Sequence, residues 1–328
     1  MRTLFVSRFL RAAVMVLAAA PLVAQPYSAA HRTEEGAACL LEEGLSRIIT
    51  LTGDASHRQQ TQLAPPAGGR RRDWTGFARF RGEWWLADGT PALHVYAADG
   101  RWLRRVVAAA PASDLFVARG RLFLYDATPA PTPMRLWYSD DGRAFHRSQA
   151  ANLVPPTVPP RSLVIAVHVL FASTPDGGFV CAPLVGPPLL TRADRNGANR
   201  KQVPLAYSRR IEREKTAGIG RTDVPLEQYS APVRDLLATP AGEIIVLRNR
   251  EDVRAANGQV VPEQARRIDR YSHDGKHLGT ATFGEKVRWI VSANASGVVA
   301  MTADGDIVRA VFAAPQPAQV LATIRAGK

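Results

Sequence analysis

The sequence predicts an all-β chain: a β-propeller of four-stranded antiparallel blades, six in number, with five as the alternative. Three observations carry that expectation. Short β-rich runs recur roughly every 40–65 residues, a glycine opens each repeat, and an Asp-Gly or Asn-Gly step, the strongest short-range hairpin signal, lies further along it. One blade cannot bury both of its faces, so such a unit is stable only when stacked radially against its neighbours. A β-sandwich has no reason to repeat the same order five times.

The clearest unit runs from Gly82 to Val107. It contains a strand Glu83 to Ala87, a turn at Asp88-Gly89, a strand Leu93 to Ala97, a turn at Asp99-Gly100, and a strand Trp102 to Val107. The pattern returns from Gly120 with Asp141-Gly142, and from Gly177 with Asn196-Gly197. From Gly242 it is interrupted by a long polar loop and resumes before Asp274-Gly275; from Gly297 it turns at Asp304-Gly305. A largely apolar run precedes each opening glycine: Trp74 to Phe80, Leu115 to Ala118, Leu163 to Ala172, Val233 to Ala238, and Val287 to Ala293. That makes four strands per unit. Gly44 to Thr52 reads as one more strand, suited to closing the ring on the last blade, so five blades and six with one degenerate both fit. The proline-rich stretches Pro129 to Pro133 and Pro155 to Pro160 belong between strands, where a missing N–H costs nothing. Trp84, Trp85, Trp102, Trp137 and Trp289 fall on strands and are expected in the inter-blade core.

The ends and the composition bound the class. With 328 residues, 46% of them hydrophobic, the chain is neither disordered, collagenous nor a coiled coil. Arg2, Arg8 and Arg11 precede an uncharged run from Ala12 to Ala24, the pattern of a secretory leader. That run is shorter than the roughly 20 residues of a membrane-spanning helix. The expected division is a signal peptide over 1–24, an N-terminal segment over 25–43 and the propeller over 44–328, with cleavage after Ala24 or near Ala30. The product would be periplasmic or secreted, with no membrane span after cleavage. Cys39 lies too far from the apolar run to carry a lipid anchor, and Cys39 and Cys181 form either one disulfide or two buried thiols.

The formal charge of +13 would suit an anionic partner. Only five of the basic residues are lysines, however, and Arg70-Arg71-Arg72, Arg209-Arg210 and Arg266-Arg267 are short and scattered. We read this as compositional bias and expect no nucleic-acid partner.

No catalytic motif of high specificity is present: there is no G-x-S-x-G, H-E-x-x-H, Walker-type or EF-hand pattern. A positional argument remains. The first strand of a propeller blade lines the central channel, and side chains alternate with period two. Counted back from the opening glycines, Asp73, His168 and Arg288 lie nine residues before and Asp235 seven, so all four share one parity. Asp114, six before Gly120, falls off the pattern unless its turn differs by one residue. Two carboxylates, an imidazole and a guanidinium at a channel mouth could bind a small anion or a metal, or perform acid–base chemistry. The alternative is structural: Asp235 paired with Arg234 or Arg288, and His168 as a satisfied core histidine. Asp88, Asp126 and Asn249, after second strands, are the loop candidates for ligand binding.

The segments LADGTPALHVYAADGRWLRR, YSAPVRDLLATPAGEIIVLRNR and IDRYSHDGKHLGT resemble the exported bacterial six-bladed propellers related to NHL-repeat proteins. The resemblance spans most of the chain after about residue 73 and identifies an architecture more than a function. That group includes metal-dependent lactonases, an amidating lyase and non-enzymatic binding platforms. Five repeated blades without any catalytic signature lead us to expect an exported, non-enzymatic propeller holding a protein, a small molecule or an anionic ligand on one face of the ring, with no catalytic residue assigned. Its alternative is a metal-dependent lactonase-type hydrolase or lyase at the central channel. A divalent metal enters only there, with Asp73 and Asp235 as candidate ligands, and the Glu and Asn of that family find no convincing match.

Overall fold

The computed structural model describes residues 29–313 apart from 34–35, 43–45, 53–54, 56, 67–72, 127–134, 149–168, 184–188, 195–199, 206–232, 249, 255–259, 265 and 303–304. The leader and the Asn196-Gly197 turn fall outside the described residues. So do the two proline-rich stretches. Everything regular in the described chain is β-strand, and it folds as a six-bladed propeller in which each blade is a contiguous piece of sequence.

Blade 1 contains β1 (Ala29–Arg32), β2 (Ala38–Glu42), β3 (Arg47–Leu51) and β4 (Arg58–Gln62). Blade 2 contains β5 (Gly76–Phe80), β6 (Glu83–Ala87), β7 (Ala92–Tyr96) and β8 (Trp102–Val107). Blade 3 contains β9 (Asp114–Ala118), β10 (Arg121–Asp126), β11 (Arg135–Ser139) and β12 (His146–Arg147). Blade 4 contains β13 (Val169–Ser173), β14 (Phe179–Pro183), β15 (Leu189–Ala193) and β16 (Lys201–Pro204). In blade 5, β17 (Val233–Ala238) and β18 (Ile244–Arg248) are followed by a separate hairpin, β19 (Arg250–Arg254) and β20 (Val260–Gln264). β21 (Arg267–Tyr271) and β22 (His277–Thr282) complete the sheet. The polar insertion expected as a loop is thus a paired hairpin. Blade 6 shows β23 (Val287–Ala293), β24 (Gly297–Thr302) and β25 (Ile307–Val311) among the described residues.

The unit that the sequence pattern missed is blade 1. Arg47–Leu51 does form a strand inside the expected Gly44 to Thr52, but it pairs with β2 and β4 of its own blade and not with the last one. The first described strand of the propeller thus starts at Ala29, within the stretch 25–43 that the sequence reading set apart from it.

The first strands pack on one another around the ring, and β2 meets β23 where the ring closes. Because each blade is covered on both faces, the middle strands are mostly buried, and every residue of β7 and of β18 is buried. Outer strands such as β8 are half exposed. The core is accordingly six separate wedges, one per interface. Cys39, Leu41 and Ile48 meet Phe77, Trp84 and Tyr96 between blades 1 and 2. Phe80 and Trp85 meet Leu115 and Val117 between blades 2 and 3. Between blades 3 and 4, Phe116 stacks on both Phe123 and Phe171, with ring centroids 4.8 and 4.4 Å apart. The last wedge sets Leu40, Ile49 and Leu51 of blade 1 against Val291 and Met301 of blade 6. Cys39 and Cys181, in blades 1 and 4, are free and buried, which decides between the two alternatives in favour of thiols. Burial pushes the Cys181 thiol up to about 12, so it is held as an inert apolar filler.

Six of the glycine turns have a common geometry among the described residues. At Ala97 to Arg101, the Gly100 N–H donates to the Ala97 carbonyl and the Ala97 N–H to the Arg101 carbonyl. The pattern recurs from Thr33, Thr174, Thr239, Ser272 and Thr302. This is a turn closed by a left-handed residue in a bulge. In the hairpin between the third and fourth strands the glycine also touches the preceding blade. A Cβ on Gly100 would stand 1.9 Å from the Gln62 carbonyl oxygen of blade 1. One on Gly142 would stand 2.6 Å from the Trp85 ring of blade 2, and one on Gly275 2.6 Å from Val203 of blade 4.

Gly100 and Gly242 both have positive φ, but a Cβ on Gly242 meets only His273, at 3.9 Å. Gly242→Ala should therefore cost about 1–2 kcal/mol, the strain of the left-handed conformation alone. Gly100→Ala should cost clearly more, because it must also part blades 1 and 2. Urea unfolding of the two variants beside the parent checks this; equal losses would mean that the turn does not seat against blade 1.

Candidate functional site

The first strands enclose a central channel with a cavity of about 1060 Å³. Its walls are largely apolar, with Leu115, Phe116, Leu170, Phe171, Leu236 and Trp289 among them. Four titratable side chains of the innermost strands line it: His31 and Arg32 on β1, Asp114 on β9 and Asp235 on β17.

Asp235 is saturated with donors. Its Oδ2 accepts from Arg32 Nη2 at 3.0 Å and from the Ile290 backbone N–H at 2.7 Å, while Oδ1 accepts from the Leu236 N–H at 2.8 Å. One carboxylate thereby joins blades 5, 6 and 1. Burial pushes its pKa up, and Arg32 and the two amides pull against that shift. Those three donors favour the ionised form.

Asp114 is half-buried, and among the described residues its one side-chain hydrogen bond is from the Leu115 N–H at 2.8 Å. Burial raises its carboxyl to about 7, so it carries its proton well above the usual carboxylate range. Room for it is made by β5: a Cβ on Gly76 would lie 2.6 Å from Asp114 Cα and Oδ1. His31 is buried edge-on against Phe77, with ring centroids 5.9 Å apart. Burial, with Arg32 beside it, lowers its pKa to about 3, so the imidazole is neutral at physiological pH. Its Nε2 has no hydrogen-bond partner among the described residues. A neutral imidazole, a protonated carboxyl and an ion pair in an apolar channel can orient a small molecule and exchange a proton with it.

The residues singled out from the sequence are distributed more widely. Asp235 lines the channel. Asp73 is exposed, three residues ahead of β5, and is not part of the channel wall. Arg288 is buried on β23 beside the wall residue Trp289 but does not itself line the cavity. The shared parity is broken by β-bulges, in which Arg234 and Arg288 are the extra residues and reset the alternation of their strands. Asp114 joins the channel because its hairpin turns through Arg119-Gly120, one residue shorter than the turn after β17. Asp88 is held in the β6–β7 turn, 3.3 Å from His94 Nε2 and bonded to Thr90, and Asp126 is buried at the end of β10. His168 and Asn249 fall outside the described residues. His31 and Arg32 went unnoticed because they belong to the unrecognised blade.

The donor set does not fit a divalent metal. Asp73 and Asp235 are not brought together at one site, Asp235 is already taken by three donors, and no group of three His, Cys, Asp or Glu able to hold a metal exists among the described residues.

No protein-family model matches the sequence, and no curated protein matches it significantly. Solved structures do match. A DUF4221 family member from Bacteroides vulgatus superposes with a TM-score of 0.58 at 12% identity, covering 90% of this chain and 95% of that one. XC5397 from Xanthomonas campestris, a gluconolactonase, gives 0.51 at 12% identity with 88% of each chain covered. A streptogramin B lyase gives 0.50 at 11%, covering 89% of this chain and 81% of the other. This likeness shows the fold. The chain is a six-bladed β-propeller whose structural neighbours include lactonase and lyase propellers.

The two channel aspartates should respond oppositely to amide substitution. Asp235→Asn leaves Arg32 buried without its counter-charge and should cost about 3–5 kcal/mol. Native Asp114 holds its proton up to about pH 7, whereas the unfolded chain releases it near 3.8. Between those values the native state binds more protons, so this group's contribution makes stability fall as pH rises. Asp114→Asn should flatten that fall and be neutral or stabilising above pH 7. Urea unfolding of both variants from pH 4 to pH 8 checks the contrast.

Proposed function

We propose that this protein binds a small, largely apolar molecule in its central channel and recognises one polar group of that molecule through protonated Asp114 and neutral His31. The observation that carries this is the polar set itself. In a cavity of about 1060 Å³, a carboxyl raised to about 7 and an imidazole nitrogen without a partner face apolar walls. A ligand carbonyl or hydroxyl placed between them would satisfy both. This continues the reading of the protein as a propeller-shaped binding protein.

A second reading, an acid–base hydrolase or lyase, draws on one specific observation: a carboxyl titrating near 7 inside a cavity is poised to donate and accept protons. The gluconolactonase and the lyase among the structural neighbours are consistent with it, although their likeness is one of fold. Under this reading Asp114 moves the proton and Asp235 holds Arg32 in place; no metal takes part.

Export belongs to the same proposal. The leader over 1–24 would place the protein in the periplasm or outside the cell, in keeping with the resemblance to exported NHL-related propellers. Cleavage after Ala24 leaves β1 whole, whereas cleavage after Ala30 would remove the Ala29↔Leu41 and Ala30↔Leu40 pairings that start blade 1. N-terminal sequencing of the exported protein should therefore begin at Gln25.

The channel is tested by a thermal-shift screen of lactones, aryl esters and other small apolar molecules that carry one carbonyl. Hits should weaken on Asp114→Ala and as pH rises through 7. Loss of one buried hydrogen-bond donor, about 1–3 kcal/mol, corresponds to about a 5- to 150-fold change in Kd. Hits indifferent to both changes would remove Asp114 from recognition. Turnover of a hit, insensitive to chelator and lost in Asp114→Asn, would favour the catalytic reading over binding alone.

A further inference from the structure

Six buried or half-buried arginines among the described residues have a carboxylate: Arg32 has Asp235, Arg47 has Glu42, Arg121 has Asp140, Arg248 has Asp269, Arg270 has Glu243, and Arg192 has Asp176. Arg288 does not. It is only 7% exposed, its Nε has no hydrogen-bond partner among the described residues, and its ionic neighbour is a second guanidinium, Arg234. Burial and that like charge together bring Arg288 down to about 10. Burial also lowers Arg234, with Asp235 acting against it.

Backbone geometry puts the two arginines in equivalent places. On β17, Val233 pairs with Arg248 and Asp235 with Leu247, leaving Arg234 as the extra residue of a bulge. On β23, Val287 pairs with Thr302 and Trp289 with Met301, leaving Arg288 as the extra residue. The bulges lie at the starts of the innermost strands of adjoining blades, and a bulge is a means of re-aiming a side chain. The Arg288 guanidinium then lies over the Trp289 ring, 5.4 Å from its centroid, and the buried Trp289 Nε1 likewise lacks a partner among the described residues.

We propose that Arg234 and Arg288, with the Trp289 indole N–H, form a binding site for a small oxyanion, a carboxylate or phosphate group, at the seam between blades 5 and 6. Two planar guanidinium forks present paired donors at the spacing of carboxylate or phosphate oxygens. An anion would supply the counter-charge that Arg288 lacks among the described residues and accept from Arg288 Nε and Trp289 Nε1. This site is separate from recognition by Asp114 and stands whether or not the channel takes an apolar ligand.

The test uses the purified protein in chloride buffer at fixed ionic strength, titrated with inorganic phosphate and, in a second arm, citrate. Either anion should raise Tm saturably and change tryptophan fluorescence, and the arm with the lower half-saturation concentration identifies phosphate or carboxylate as the preferred group. Arg288→Gln and Arg234→Gln should each lose at least tenfold in apparent affinity. Arg288→Met, assayed without either anion, should be no less stable than the parent, because it removes a buried charge that lacks a counter-charge. The proposal is overturned if neither anion shifts Tm, if both Gln variants respond like the parent, or if Arg288→Met is strongly destabilised in chloride alone. The last result would show that Arg288 is already satisfied within the chain.

Discussion

A ring of wedges has to close, and in this molecule no strand is shared between the first blade and the last among the described residues. The seam is held by side chains. Leu40, Ile49 and Leu51 pack against Val291 and Met301, and the Asp235 carboxylate reaches from blade 5 to an amide of blade 6 and to Arg32 of blade 1. Apolar packing supplies attraction with little direction. The carboxylate supplies direction, because a buried anion needs its three donors, and they are in reach only when blades 5, 6 and 1 stand in this order. A buried ion pair is weak evidence for net stability, since desolvation offsets much of the Coulomb gain. Its role here is better understood as specifying the closed ring against open or slipped arrangements.

The same logic explains the turn grammar. A hairpin that ends against a neighbouring blade must present backbone there, and a side chain at Gly100, Gly142 or Gly275 would collide with Gln62, Trp85 or Val203. Glycine is thus required twice, by its positive φ and by the neighbour, which is why the repeat could be read directly from Asp-Gly steps in four of the blades. Blade 1 was illegible for the converse reason. Its outer hairpin closes from Thr52 to His57, one residue longer than the other turns, with Ala55 in the left-handed position at φ 59, so the Asp-Gly signal is missing. Tertiary packing on both sides holds an alanine where local preference would not.

The site was less legible than the fold because alternation is a fragile ruler. It places a side chain correctly only while pairing runs without a slip, and β17 and β23 each slip by one residue at the start. Arg288 therefore left the face assigned to it, while Asp235 kept a place on the channel. Asp114 was set aside by a count that assumed equal turns, and a turn shorter by one residue returned it to the wall. Nothing in the local sequence distinguishes Arg119-Gly120, both at positive φ, from the longer turns in advance of the pairing.

Asp114 and Asp235 show how environment divides the work of two like residues. Each lies four residues before the one that closes its hairpin, Ala118 and Thr239, and each accepts from the N–H of the leucine that follows it. Asp235 gains a guanidinium and a second amide, which oppose the burial that raises its pKa and fix its carboxyl in place. Asp114 faces Gly76, which brings no donor, so burial dominates and the proton stays on. Two equivalent positions on one scaffold thus become a lock and a proton carrier, and the difference comes from which neighbours reach them: Arg32 across the seam in one case, a bare glycine in the other. A repeat architecture can generate a chemical site in this way without any catalytic motif in the sequence, because its asymmetry lies between blades and not within them.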